Sequence, residues 1–465
     1  MRPITAVLLL QAASGQGTAP PAAEVTAFVG AHVVPMDAPR VLGEQTVLVQ
    51  EGRIVGMGPA AVTAVPPGAR RIDARGRYLM PGLADMHVHL ARRDELIADE
   101  LLLYLANGVT TVRGMDGRPI HLAWRERVAR GDAPGPAIRT CGPQVFGRVS
   151  PLGRVAQAPD GPGWLRWISR SRTPASAHAV ALKHRRAGYD CLKIYSAPDW
   201  TNDAYAAAVA GARDAGIPLA GHFARNLPLD RNLAGRSSVD HLEEFNYTYF
   251  FRATRPGDWA TRDSLLPEVA RRVATSGVAV TSTLWYIHRN HVLGNGEAQV
   301  VDEPEMRFVP ASHRRQLTGE RRSTRAVLID RQRASSARNL AFQRRMATAF
   351  QAAGVRLMAG TDASLRSRVV PGFSLHHELA ELVAAGLEPY QALRAATATP
   401  AGVLGEPAGI VAVGLRADLL LLEGNPLEDI RTAARPLGVM ANGRWWTRAE
   451  LDDALRAVES RAGRR

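Results

Sequence analysis

The sequence predicts an α/β protein: a (β/α)8 (TIM) barrel with a small β-sandwich domain formed by both termini. Eight apolar, strand-like runs alternate with amphipathic helical stretches, and many of those stretches end at a glycine, which commonly stops a helix. Eight βα units in series are typical of such a barrel, whose active site lies at the carboxyl ends of its strands.

The barrel is expected to occupy residues 81–402. Its predicted strands are 84–89, 110–115, 137–142, 191–195, 218–222, 238–242, 279–284 and 356–361. The predicted helices include 94–107, 176–187, 203–215, 265–276 and 340–353. Two connections, 143–175 and 285–335, exceed a normal βα loop, and we expect them to cover the active face and select the substrate.

The predicted β-sandwich combines residues 24–80 with residues 403–450. Its expected strands are 27–34, 46–50, 53–57, 409–413, 418–422, 438–441 and 444–447. Neither set of strands alone would bury enough apolar surface to be stable. We therefore expect one sandwich built from both ends of the chain, with the barrel inserted between them.

The composition is that of a globular protein with an excess of basic residues. The chain has 465 residues and a net charge of +14, with 46% hydrophobic and 22% charged residues, which excludes global disorder. The charge could indicate a nucleic acid partner, but the arginines are spread along the chain and form no stripe interleaved with aromatic residues. We expect a small-molecule substrate, no nucleic acid partner and no membrane partner, and a homo-oligomer stays open.

The N-terminus and the two cysteines bear on the compartment. Residues 1–15, MRPITAVLLLQAASG, resemble a secretory signal peptide, in which one arginine precedes an apolar run and small residues follow. The run is too short to span a bilayer. We expect a periplasmic or secreted protein, with a cytoplasmic location as the alternative. Cys141 and Cys191 form no CxxC motif and lie in apolar runs, which predicts two buried free thiols.

Two histidines, His87 and His89, end the first predicted barrel strand. Residues two apart on a strand share one face, so both imidazoles can bind one metal ion. The alternative is a pair of ordinary surface histidines. The surrounding apolar run argues against it, because a buried imidazole is costly without a partner.

Four more potential ligands follow other predicted strands: Lys193, His222, His241 and Asp362. Each has an ordinary interpretation, as a snorkelling lysine, a satisfied core histidine or a helix cap. In a barrel, however, all of these side chains converge on one mouth, which favours a metal centre. A buried lysine can also react with CO2 and become an anionic oxygen ligand that bridges two metals, and burial favours this reaction because it lowers the lysine pKa.

Motifs along nearly the whole chain resemble the amidohydrolase superfamily, in its branch of imidazolonepropionase-like enzymes and metal-dependent Xaa-Pro dipeptidases. The matching motifs are PGLADMHVH, GVTTVRGM, YDCLKIY, LAGH, VDHLEE, MAGTDA, LHHELAELVAAGLEPYQALRAATATPAGVLG and GIVAVGLRADLLLLEGNPLEDI. The resemblance implies the barrel and the sandwich predicted above, and it implies two divalent metal ions, usually zinc.

The resemblance also implies a role for each candidate ligand. His87 and His89 would bind the more buried metal together with Asp362, His222 and His241 would bind the second, and carboxylated Lys193 would bridge both. A hydroxide between the metals would be the nucleophile, with Asp362 as general base and then acid. Imidazolonepropionase is mononuclear and lacks the bridging lysine, so Lys193 favours the binuclear, dipeptidase-like side.

Two segments near the expected substrate depart from the family pattern. Residues 141–151, CGPQVFGRVSP, lack the histidine of a Gly-Gly-His motif, and IYSAPDW replaces a glycine-rich turn after Lys193. If a small acid is bound, six residues are candidate contacts, and each is also interpretable as an ordinary loop residue: Arg148, Arg225, Tyr247, Tyr286, His288 and Arg289. Arg113 is expected to be structural.

The predicted function is hydrolysis of an amide-type C–N bond in a small substrate, a dipeptide such as Xaa-Pro or an N-acyl amino acid. The alternative is a hydrolase of a cyclic amide, lactone, carbamate or phosphotriester at the same binuclear site. A non-catalytic binding relative is disfavoured because every expected ligand position is kept.

Overall fold

The computed structural model describes residues 24–147, 169–171, 173–195, 200–252, 260–289, 303–319, 326–365 and 368–465. The two long connections predicted to cover the active face, 143–175 and 285–335, lie partly outside these ranges, so their role stays a prediction. The predicted signal peptide, residues 1–15, lies wholly outside them.

Twenty strands are present in the described part of the chain. They are β1 (Thr26–Val33), β2 (Leu42–Gln50), β3 (Arg53–Pro59), β4 (Arg70–Asp73), β5 (Tyr78–Pro81), β6 (Leu83–Val88), β7 (Val109–Gly114), β8 (Ala137–Thr140), β9 (Val145–Phe146), β10 (Ser169–Arg170), β11 (Leu192–Ile194), β12 (Leu219–Gly221), β13 (Ser238–Asp240), β14 (Phe251–Arg252), β15 (Ala260–Thr261), β16 (Ala279–Thr281), β17 (Leu357–Met358), β18 (Leu419–Leu422), β19 (Gly438–Ala441) and β20 (Arg444–Thr447).

Helices separate most of these strands. The α-helices are Asp94–Ala106, Pro119–Ala129, Pro174–Arg186, Asn202–Asp214, Leu229–Leu233, Glu243–Phe245, Leu266–Ser276, Leu284–Ile287, Ala311–Gly319, Ala326–Ala352, Phe373–Ala384, Pro389–Ala395, Ala398–Leu404 and Arg448–Arg464. A π-helical turn spans Asn246–Phe250, and 3-10 turns span Asp263–Leu265, Pro304–Phe308 and Ile430–Ala434. Among the described helices, none combines the length and apolar character needed to cross a bilayer.

Strands from both ends of the chain form one eight-stranded sheet. Its order is β20-β19-β18-β5-β1-β2-β3, and β4 pairs with β1. The apolar run of β18 pairs antiparallel with β5 and packs on a core that includes Phe28 and Leu79. The predicted strand 409–413 is wrong: this segment is an irregular loop in which Gly409 and Gly414 have positive φ. The exact domain boundaries stay a prediction.

The eight strands of the predicted barrel are all present and lie in three parallel sheets. The sheets are β6-β7-β8, β10-β9-β11-β12 and β13-β16-β17. Backbone hydrogen bonds link each sheet to the next: for example, Gly142 N donates to Cys191 O, Ser237 N to Leu219 O, and Met86 N to Ala359 O. The α/β class is therefore confirmed, and the polypeptide runs through the eight strands in chain order.

Cys141 and Cys191 are joined by a disulfide, so the prediction of two free thiols is wrong. The residues are 50 positions apart in sequence, but they are paired neighbours at the junction of β8 and β11. Both are buried with Met115 and Ala220. The parallel pairing of two adjacent strands brings the sulfur atoms together, and apolar context alone does not reveal that pairing.

The C-terminal helix Arg448–Arg464, which the sequence analysis did not predict, is fixed against the helix Asp94–Ala106. Buried Asp99 accepts hydrogen bonds from Arg461 Nε at 2.7 Å and from Arg465 Nη1 at 2.8 Å. The end of the chain thereby buttresses the helix that follows the first barrel strand.

Candidate metal centre

The six predicted ligand residues lie at the carboxyl ends of five parallel strands. His87 is in β6 and His89 follows it, while Lys193 lies in β11. The other three come directly after β12, after β13 and four residues after β17: His222, His241 and Asp362. Two of the six have left-handed backbone angles, His241 at φ 75° and Asp362 at φ 56°. Such strained positions persist where the surrounding structure holds them, often at functional sites.

Three of these residues, His87, His89 and Asp362, form what we call the inner group. Asp362 Oδ1 lies 3.0 Å from His89 Nε2 and 3.5 Å from His87 Nε2, and the two Nε2 atoms are 3.4 Å apart. Within the described residues, this is a set whose ligand atoms all lie within 4.8 Å of one another, as a bound cation requires.

Buried polar groups fix the inner group from behind. Asp85, fully buried, accepts hydrogen bonds from Thr361 Oγ1 at 2.6 Å and from Thr361 N at 3.0 Å. Asp240 lies 3.6 Å from His87 Nδ1 and accepts a 2.6 Å bond from Arg113. Arg113 also donates to Met86 O and Ser238, which is the structural role expected for it.

Lys193, in β11, lies against the inner group. Its side chain is 1% exposed, and its Nζ lies 3.4 Å from His87 Nε2. Burial lowers the pKa of the Lys193 amine, although Asp240 and Asp362 oppose the shift. Burial also holds the pKa of the His87 imidazole well below its usual value, and Lys193 strengthens that effect. Both groups are therefore biased towards their neutral forms.

His222 and His241, which we call the outer pair, lie beside each other with ring centroids 4.8 Å apart. Each engages its Nδ1 with a residue that the sequence analysis missed. His222 Nδ1 is 3.0 Å from Glu244 Oε1, and His241 Nδ1 is 2.9 Å from Thr283 Oγ1. These contacts leave Nε2 of each ring available to a metal, the arrangement that orients histidines at metal sites.

Glu244 is a fully buried carboxylate with two basic neighbours. Burial alone would raise its pKa, but His222 and Arg225 more than offset that effect, so its pKa is lowered. Arg225 Nη2 donates to Glu244 Oε1 at 2.7 Å. The only sequence signal was position, because Glu244 lies three residues after His241 in the motif VDHLEE.

A cavity of about 370 Å³ opens over these groups. Five of the six predicted ligands line it, and His87 lies buried beneath. The other lining residues are Arg92, Asp116, Arg118, Gln144, Tyr195, Glu243 and Tyr286. Of these seven residues, only Tyr286 was predicted from the sequence. Arg92 and Asp116 follow the ends of β6 and β7, and this position at strand ends is the signal that could have identified them.

The remaining predicted substrate contacts lie elsewhere or are not described. His288 Nδ1 is 2.5 Å from Glu381 Oε1, and buried Arg289 donates to Glu303 at 2.5 Å, so neither lines the cavity. Arg225 is bound to Glu244 at the edge of the site. Arg148 and the side chain of Tyr247 lie outside the described residues.

The residues present fit a divalent cation. Two imidazoles and one carboxylate are a common donor set for zinc, and the described atoms of the inner group point at one another. Imidazole binds a metal only when neutral, and burial, helped by His222, lowers the pKa of His241 to about 4. His241 is therefore also in the protonation state that metal binding needs, and burial lowers the pKa of His222 in the same direction.

Comparison with known proteins identifies the family. A similar solved structure is a bottromycin amidohydrolase, with 25% identity and a TM-score of 0.73 over 94% of this chain and 91% of that one. A Xaa-Pro dipeptidase with methionine bound in its active site shares the fold at 19% identity and a TM-score of 0.67, over 91% and 100% of the two chains.

Among curated proteins, an adenine deaminase from Ruegeria sp. (strain TM1040) is 27% identical over 235 residues, which is 45% of this chain and 37% of the deaminase. The match thus spans well under half the length of that relative. The model of the amidohydrolase family matches residues 78–446, a range that contains all six candidate ligands. The protein therefore belongs to the amidohydrolase family.

Proposed function

We propose that this protein hydrolyses an amide-type C–N bond of a small substrate, a dipeptide or an N-acyl amino acid, at a binuclear metal centre. The observation that carries the proposal is the contact of Lys193 with the inner group. A buried amine 3.4 Å from a candidate metal ligand is unfavourable as a cation. Carboxylation would turn it into an anionic ligand that bridges the inner group and the outer pair.

The residue usage of the chain supports this interpretation. Only two of its 58 basic residues are lysines, Lys183 and Lys193. Arginine stays protonated in proteins, whereas a buried lysine can lose its proton and react with CO2. A lysine retained at this position in so arginine-rich a chain favours a role that needs the amine itself.

In the proposed centre, the inner group would hold one divalent cation and the outer pair would hold the other, and carboxylated Lys193 would be a ligand to both. When bound, two such cations would acidify water and polarise a substrate carbonyl, and zinc is the metal that the donor set favours. Asp362 lines the cavity beside His89, where it can accept the proton of the attacking water and return it to the leaving nitrogen.

The amidohydrolase fold, a barrel with a small second domain, supports a further part of the proposal. We infer that the three parallel sheets form one closed (β/α)8 barrel, because backbone bonds join each sheet to the next. The buried disulfide supports a periplasmic or secreted location, since disulfides persist in oxidising compartments.

The alternative is the same centre acting on a cyclic amide, a lactone, a carbamate or a phosphotriester. The match to an adenine deaminase supports this alternative, in which the attacked carbon can be part of a ring. A panel of dipeptides, N-acyl amino acids, cyclic amides and lactones separates the two functions.

The test compares replacement of the buried Lys193 with replacement of the exposed Lys183. Lys193→Ala should abolish hydrolysis and remove most of the second metal, measured by elemental analysis of protein purified without chelators. Nuclear magnetic resonance after exchange into 13C-bicarbonate should show one carbamate signal that Lys193→Ala removes.

Lys183→Ala is the matched control, because Lys183 is exposed on the helix Pro174–Arg186. It should keep the metal, the carbamate signal and the activity. Full activity and two metals in Lys193→Ala would rule out carboxylated Lys193 as the bridging ligand. Loss of the carbamate signal in Lys183→Ala would show that Lys183, and not Lys193, carries the modification.

A further inference from the structure

We propose that Arg92, Asp116 and Arg118 form a carboxylate-binding subsite, so that the substrate is a small acid with a free carboxylate. This inference rests on the proposed function and narrows its substrate class. It separates dipeptides and N-acyl amino acids from the neutral lactones and cyclic amides that the metal centre alone would also accept.

The three residues come from the loops after two neighbouring strands, β6 and β7. Asp116 Oδ2 accepts hydrogen bonds from Arg92 Nη2 at 2.9 Å and from Arg118 Nη2 at 3.3 Å. The Arg118 side chain is 6% exposed and the Arg92 side chain 32% exposed. Arg118 is therefore a buried part of the cavity wall. Arg92 is bound to the same carboxylate, but its side chain is partly exposed to the cavity.

The charges of the cluster favour an anionic ligand. Two guanidinium groups share one carboxylate oxygen, so the cluster carries a net positive charge. All three residues line the cavity that contains Lys193 and Asp362. A guanidinium has five N–H donors in a planar fork that matches a carboxylate, and the contact with Asp116 uses one of those of Arg92.

The other charged groups facing the cavity are consistent with this placement. Glu243 is the remaining acid that lines it, and it follows β13, in a different sheet from β6 and β7. At about 370 Å³ the cavity is near the lower end of ligand pockets, roughly 300–1,000 Å³. A ligand that reaches both the arginines and the metal centre is therefore small, of the size of a dipeptide.

The test compares acids with their neutral amides. Each of L-Ala-L-Pro and N-acetyl-L-proline is assayed beside its C-terminal carboxamide, in the wild-type protein and in Arg92→Ala. The wild type should prefer the acid, and Arg92→Ala should lower kcat/KM for the acid by roughly 10- to 100-fold, since a charged hydrogen bond is lost, while the carboxamide changes little.

Arg92→Lys keeps the charge but not the planar fork, and should recover part of the loss. Arg93→Ala is the matched control, because Arg93 is the next residue, is exposed and lies outside the main cavity. Equal losses for acid and carboxamide in Arg92→Ala, or equal and measurable turnover of both by the wild type, would overturn the subsite.

Calorimetric titration of the wild type and Arg92→Ala with L-proline and L-prolinamide separates the subsite from the reaction. Binding of L-proline that requires Arg92, in a protein that hydrolyses no amide, would leave the subsite standing and refute the proposed function. Amide hydrolysis with no Arg92-dependent preference in turnover or binding would keep the function and refute the subsite.

Discussion

The inner group and the outer pair are held in different ways. In the inner group, the ligand atoms of His87, His89 and Asp362 contact one another directly. In the outer pair, each histidine is oriented by a side chain outside the ligand set, Glu244 or Thr283. The two halves of the proposed centre therefore depend on different interactions.

The backbone reinforces this difference. Asp362 N donates to His87 O at 2.8 Å, and His89 N donates to Ala363 O at 2.9 Å, so the main chain itself brings the inner ligands together. In the outer pair, the backbone bonds run to other residues, from His222 N to Ile194 O and from His241 N to Thr281 O, and each ring is oriented through its Nδ1 by one side chain. We infer that the inner position is preorganised and that the outer position can be weakened selectively, one supporting side chain at a time.

The largest effect is expected from the inner group. Asp362→Asn removes an anionic ligand and the proposed proton acceptor, so kcat should fall by about 100- to 10,000-fold with loss of metal from the inner position. Steady-state kinetics and elemental analysis of the same preparation measure this. Asp132→Asn, which changes an exposed carboxylate paired with Arg130, should leave both unchanged. Near-normal activity in Asp362→Asn would remove Asp362 from the mechanism.

A smaller and more selective effect is expected from Glu244→Gln. The change weakens the orientation of His222, so affinity for one of the two metals should fall by about 10- to 100-fold, with excess metal restoring activity. Metal titration of the apo-protein checks this expectation. Glu268→Gln is the control, because Glu268 also binds an arginine but on an exposed helix. Equal weakening of both metals would contradict the distinction between the two halves.

The smallest effect is expected from Thr283→Val, which removes the hydroxyl beside His241 while keeping a branched side chain. Metal affinity at the outer position should fall by up to about tenfold. Thr283→Ser keeps the hydroxyl and should bind metal like the wild type. Because Thr283 has a left-handed backbone angle of φ 54°, both variants also need a thermal unfolding scan. If Thr283→Val loses metal only to the extent that it loses folded protein, Thr283 does not orient His241.

The sequence predicted the elements that repeat and could not predict the contacts that depend on register. The eight apolar runs, and the polar residue at the end of each of five of them, are local signals, so the strands and the six candidate ligands were found. The segment between Gly409 and Gly414 was predicted as a strand because its run of apolar residues resembles that of a strand. Hydrophobicity does not reveal that the chain bends at Gly409 and turns at Gly414.

The supporting residues were missed for a related reason. Glu244, Thr283 and Arg92 are polar residues in or near loops, where most such residues only contact water. Their importance comes from the partner each meets in space, and the partner of Thr283 lies 42 positions away in sequence. The pairing of Cys141 with Cys191 likewise requires knowing which two strands are neighbours.

The disulfide also bears on how the metal content of this protein is to be measured. Cys191 lies directly before β11, two residues from Lys193, so in this extended chain their side chains share one face. A protein made in a reducing cytoplasm would carry two thiols in the layer next to the lysine, and thiolates are strong ligands for zinc. Preparations of identical sequence from oxidising and reducing hosts would then differ in metal stoichiometry. A free-thiol assay therefore belongs beside every metal analysis.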